Sequence, residues 1–116
     1  MHILELNNSQ LTKVLIIEYN HWKDIMLIEF SKKAKKDIHK IPANLQDKLY
    51  LWIKIVNEFG LMVARQSKGF HDEALKGERH GQRSIRLNIA YRAIYILNKD
   101  DQVEFVEIIE VNKHEY

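Results

Sequence analysis

Apolar positions recur along this chain in two rhythms. Between residues 31 and 59 they return every three or four positions, and from residue 82 onward they alternate or cluster in short β-branched runs. The run at 25–30 (IMLIEF) predicts a strand. Ser31 is placed to cap a helix whose stripe is Ala34, Ile38 and Ile41, with lysines outside. Pro42, the sole proline, ends that helix and suits the opening of the next. There Leu45, Leu49, Trp52, Ile53, Val56 and Phe59 fall on one face, and Gly60 supplies the stop. The aromatics in this stripe read as core.

A polar loop around 67–81 is followed by three predicted strands at about 82–87, 90–97 and 103–111. Tight turns at Asn88 and at 98–102 join them. The order β-α-α-β-β-β predicts an α+β domain, two consecutive helices laid on one face of a small antiparallel-rich sheet. Residues 1–22 read as an N-terminal extension, and 23–116 as the domain. Asn8 or Ser9 can cap a short helix with Leu11, Val14 and Leu15 on one face, so the extension is expected to be partly helical.

A chain of 116 residues has room for one modest core. It contains no cysteine, which removes disulfides, thiolate nucleophiles and thiolate metal sites and fits a reducing cytoplasm. The apolar runs, such as that around 14–17, are far too short to span a bilayer, and the start lacks the pattern of a secretory signal. A cytoplasmic protein with no membrane partner is expected.

The net charge of +2 hides an uneven distribution. Arg65, Lys68, Lys76, Arg79, Arg83, Arg86 and Arg92 face only Asp72, Glu73 and Glu78 over one stretch, and acids dominate from Ala93 onward. Lys32, Lys33, Lys35, Lys36 and Lys40 form a second basic cluster. Basic patches on a nearly neutral chain point to a polyanion met by one face, or to ordinary solvated charge.

The chain has no GxxxxGK[ST] loop, no GxGxxG and no HExxH, and its six histidines lack metal-ligand spacing. Neither a metal nor a cofactor is expected. Candidate chemistry gathers in LKGERHGQRSIRLNIAYR (75–92) and in KHEY (113–116). Alternation puts Ser84 and Arg86 opposite Ile85 and Leu87, and Arg92 with Ile94 and Ile96. Arg86 and Arg92 then either share a face as two phosphate-binding forks, extended by Lys76, Arg79 and Arg83, or pair across the sheet with Glu104, Glu107 or Glu110.

The stretch GQRSIRLNIAYRAIYI resembles the SIRL…YR core of HigB-type toxins and, more loosely, of the RelE/ParE superfamily. LKG at 75–77 resembles the preceding loop of those proteins, and VEFVEIIEVNKHEY their closing strand and tail. The resemblance covers about residues 25–116. It implies a RelE-like fold and the toxin of a type II toxin–antitoxin pair, neutralised by a helix-turn-helix, HigA-like antitoxin. It also implies a ribosome-dependent endoribonuclease that cuts mRNA through the RNA's own 2′-hydroxyl without metal. By the same resemblance Arg86 and Arg92 stabilise charge, while His114 and Tyr116 occupy the tail where relatives place acid–base residues. Lys76, Arg79, His80 and Arg83 would contact RNA, with His80 a second acid–base candidate. Two other readings share the fold: a ParE-like, non-enzymatic inhibitor of DNA gyrase, and an inactive antitoxin-binding protein.

Overall fold

The computed structural model describes residues 27–100 and 103–113. The N-terminal extension, the start of the expected first strand, and the tail residues His114 and Tyr116 lie outside them. Strand β1 (Leu27–Phe30) leads into helices α1 (Lys32–Ile38), α2 (Ala43–Phe59) and α3 (Leu61–Gln66). Strands β2 (Glu73–Ala74), β3 (Arg83–Arg86), β4 (Tyr91–Asp100) and β5 (Val103–Lys113) follow. They form one sheet in the order β1-β5-β4-β3-β2. β2 runs opposite to β1, and the three chain reversals that follow bring β5 back parallel to β1, while the other neighbours are antiparallel. Among the described residues no helix is long and apolar enough to cross a membrane.

Ser31 serves two elements at once. Its hydroxyl oxygen accepts from the Ala34 amide at 3.0 Å, as the predicted cap requires, and its O–H donates to the Ile109 carbonyl at 2.9 Å. Ile109 is the extra residue of a bulge, since Ile94 faces Glu110 while the next residue, Tyr95, faces Ile108. Helix α1 stops at Ile38, earlier than its apolar stripe implies, and Ile41 is buried in the turn beyond it. Gln46 Nε2 donates to the carbonyls of Ile38 and Ile41, and so satisfies part of that helix end. Past the reach of β1, the Asp37 carboxylate takes the Val111 amide at 3.0 Å and the Lys33 ammonium at 2.9 Å.

In α2 the predicted face buries Leu45, Leu49, Trp52, Ile53 and Val56. Phe59 departs from it and is 63% exposed. The chain turns at Gly60, with φ +89°, straight into α3, whose Leu61 and Ala64 take the inward space instead. That third helix has only six residues, too few for a periodic signal. The expected turn at 98–102 is also shorter than predicted. Asn98, Lys99 and Asp100 are turn-prone residues, but they pair with Phe105, Glu104 and Val103 and extend the long β4–β5 ladder. Asn88 does make its turn, its Oδ1 accepting from the Ala90 and Tyr91 amides.

The helices pack on one face of the sheet, against Ile28, Ile85, Leu87, Ala93, Tyr95, Val106, Ile108 and Val111. Alternation then turns Ser84, Arg86, Arg92 and Glu110 to the other face, which also carries a smaller apolar group, Leu27, Ile94 and Phe105. The predicted loop at 67–81 is partly ordered. It holds short 3-10 turns at Lys68–Phe70 and Gly77–Arg79, and the two residues of β2 that pair with β3.

Candidate functional site

The register decides between the two arrangements that spacing left open for the arginines. Arg86 and Arg92 are direct cross-strand partners, so both side chains leave the sheet on the face away from the helices. Two rows of side chains cross that face. One runs Glu73, Ser84, Ile94, Glu110, and the other Arg86, Arg92, Asn112, two residues further along each strand.

The acids expected as possible partners are not the ones used. Arg92 donates through one terminal nitrogen to Glu73 Oε1 at 2.8 Å and to the buried Ser84 hydroxyl at 3.2 Å. Glu107 accepts instead from Asn98, and Glu110 from Arg79 and Asn112. Arg86 is half-buried and makes no salt bridge among the described residues. The Arg92 hydrogen bond, with the charges of Arg92, Arg86 and His71, holds the Glu73 carboxyl below its ordinary range despite some desolvation. Glu73 nevertheless stays 56% exposed, a carboxylate bonded to one guanidinium, within the field of a second and open to solvent.

Sequence reasoning did not single out Glu73, which it counted only among the charges of a loop. The available signal was the two-residue match between DEA and RSI across a turn, too short to be read as a strand.

The remaining candidates divide. Lys76 and His80 are exposed in the loop between β2 and β3 and stand free to contact a ligand. Arg79 leans over the same face and grips Glu110 with one nitrogen on both oxygens at 3.0 and 3.1 Å, while its other nitrogen holds Gln82 at 2.8 Å. Arg83 lies on the helix face, not with Arg86. Its Nε donates to Asp72 at 2.6 Å, and the Asp72 side chain is fully buried. Burial alone would lower the Arg83 pKa, but that bond and charge more than offset it and raise it. His114 and Tyr116 fall outside the described residues. The last described residue, Lys113, pairs with Tyr91, one position from the Arg92–Asn112 pair and so beside the arginines.

No protein-family model and no curated protein matches the chain. Solved structures do. A YoeB/ParE toxin from Agrobacterium tumefaciens superposes with a TM-score of 0.56 at 17% identity, over 76% of this chain and 98% of that one. The YoeB–YefM complex from Staphylococcus aureus matches with 0.56 at 23%, over 78% and 98%. The E. coli DinJ–YafQ toxin–antitoxin complex matches with 0.53 at 18%, over 77% and 92%. The chain shares its fold with these toxin structures.

Proposed function

We propose that this chain is the toxin of a type II toxin–antitoxin pair and acts in the cytoplasm as a ribosome-dependent mRNA endoribonuclease of the HigB kind. The observation that carries the reading is the Arg86–Arg92 cross-strand pair with Glu73 against it, on a face free of helices. A dianionic phosphorane needs charge that does not titrate away, and guanidinium supplies it in a two-pronged form. In the proposed step the RNA 2′-oxygen bonds to phosphorus while the bond from phosphorus to the 5′-oxygen breaks, leaving a 2′,3′-cyclic phosphate. A base takes the 2′-hydroxyl proton and an acid protonates the departing 5′-oxygen.

Glu73 is the base this geometry offers. The tail residues His114 and Tyr116 are proposed as acid–base groups because β5 delivers the chain to that end of the site. Lys76 and His80 would hold flanking phosphates, whereas Arg79 and Arg83 are employed in shaping the loop. Two of the structural neighbours are complexes of toxins, YoeB with YefM and YafQ with DinJ, which supports an antitoxin partner here. A helix-turn-helix protein of the HigA kind remains the proposed form of it.

So small a basic face grips free RNA weakly, and the ribosome is expected to supply most of the positioning. Primer extension with purified protein on translated and untranslated message, beside a gyrase supercoiling assay, tests this. Cutting of ribosome-bound message alone is expected, without a requirement for divalent metal. Intact message with inhibited supercoiling would replace the reading with the ParE-like one.

A further inference from the structure

We propose that Asp72 is a positioning residue: from the helix side of the sheet it clamps strand β2 so that its neighbour Glu73 stays against Arg92 on the open side. The assignment of Glu73 to RNA cleavage rests on the proposed function; the clamp itself rests on geometry alone.

β2 is two residues long and lies at the edge of the sheet, and its ladder is the pair Glu73–Ser84 and Ala74–Arg83. Two pairings do not fix an edge strand on their own. Yet the Glu73 carboxylate sits 2.8 Å from Arg92, two strands away. The Leu75 N–H to Gln82 carbonyl bond at 2.9 Å ties the far end of the strand, and the side-chain restraint at its start lies one residue back. Asp72 Oδ1 accepts from Arg83 Nε at 2.6 Å on β3, and its Oδ2 accepts from the Tyr95 hydroxyl at 2.5 Å on β4. The Tyr95 oxygen in turn accepts from Arg65 Nε at 3.4 Å on α3, and its ring lies 4.9 Å from that of Trp52 on α2.

The three strands bound on the inside are the three that carry site residues on the outside: Asp72 precedes Glu73, Arg83 shares β3 with Arg86, and Tyr95 shares β4 with Arg92. A second observation agrees. His71 holds the left-handed conformation at φ +46°, the one non-glycine residue with positive φ among the described residues. It turns the chain into the clamp immediately before Asp72. Stability alone does not account for such a group, because a buried ion pair returns little over a well-packed apolar substitute, whereas it does impose one geometry.

The test uses the full chain with Asp72→Asn, and Tyr95→Phe as the milder change should the first fail to fold. The Glu73 side-chain carboxyl is titrated by carbon-13 NMR, with Arg92, Arg86 and His71 as the charged groups around it. Cleavage of ribosome-programmed message is followed in parallel. With native circular dichroism retained, the Glu73 midpoint should rise toward the ordinary carboxylate range in both variants. Turnover should fall by up to about 100-fold with KM little changed, the loss expected when a reacting group is misplaced by about 1 Å.

An unmoved Glu73 midpoint in a folded variant overturns the clamp, whatever happens to cleavage. A raised midpoint in the variants of a chain that cuts no message upholds the clamp and removes the nuclease. Loss of cleavage with an unmoved midpoint also counts against positioning and gives Asp72 a different role.

Discussion

Replacing each arginine of the pair by alanine should produce the same loss of function and different losses of stability. Arg86 makes no salt bridge among the described residues, so Arg86→Ala should cost only the packing of its half-buried stem, about 0.5 kcal/mol. Arg92 has two partners. Its ion pair with the 56% exposed Glu73 is screened by water and contributes about 0–1 kcal/mol. Its bond to the Ser84 hydroxyl, whose residue is 1% exposed, contributes about 1 kcal/mol, because the oxygen left behind is out of reach of solvent. Arg92→Ala should therefore cost about 1–2 kcal/mol. In ribosome-programmed cleavage each variant should lose about 100- to 1000-fold, the effect of removing one preorganised donor to a developing anion. Urea unfolding at neutral pH and single-turnover cleavage read the two quantities separately. Full activity in a folded Arg86→Ala variant, or equal destabilisation by both changes, would refute the division of roles between the two side chains.

Three further outcomes are expected. Lys33 and the Val111 amide hold the Asp37 carboxyl below its ordinary range, although burial alone would raise it. Its stabilising contribution is thus present above the usual aspartate range and lost as pH falls through the depressed native value, so Asp37→Asn should flatten the acid limb of a plot of urea midpoint against pH. Ser31→Ala removes the cap of α1 and the donor to the Ile109 carbonyl, and should lower the unfolding free energy by about 1–3 kcal/mol in urea melts. Deleting residues 114–116, while keeping Lys113 and its pairing with Tyr91, should abolish cleavage and leave the thermal midpoint nearly unchanged; unimpaired cutting would move the acid–base role away from the tail.

What could be read in the chain divides by the range of the forces involved. Ser31, the α2 stripe from Leu45 to Val56, and the turn at Asn88 are local statements, made by side chains acting on their own or the adjoining turn, and the structure bears them out. The strand register is not local. The face shared by Arg86 and Arg92 follows from alternation only once Ser84 is known to lie opposite Ile94. The roles of the charged residues in the loop were least legible. Arg79, Arg83, Asp72 and Glu73 are four of many similar charges in sequence, and only the folded sheet separates the Arg79–Glu110 and Arg83–Asp72 pairs from the pair that Glu73, itself open to solvent, makes with Arg92. Composition could mark that stretch as basic but not say which of its cations were already engaged.

The order of the strands has a consequence for how the molecule is made. β5, residues 103–113, lies between β1 and β4, so the strand translated last among those described sits inside the sheet. Until it leaves the ribosome, β1 has no neighbour, the Ile109 carbonyl and Val111 amide that anchor α1 do not exist, and the open face lacks its Glu110–Asn112 flank. Helices α1 and α2 can form early, but the sheet closes late and through contacts of long sequence separation, which slows folding. A nascent chain stalled before residue 103 therefore lacks part of the open face, which is completed only when the last described strand slots in between β1 and β4.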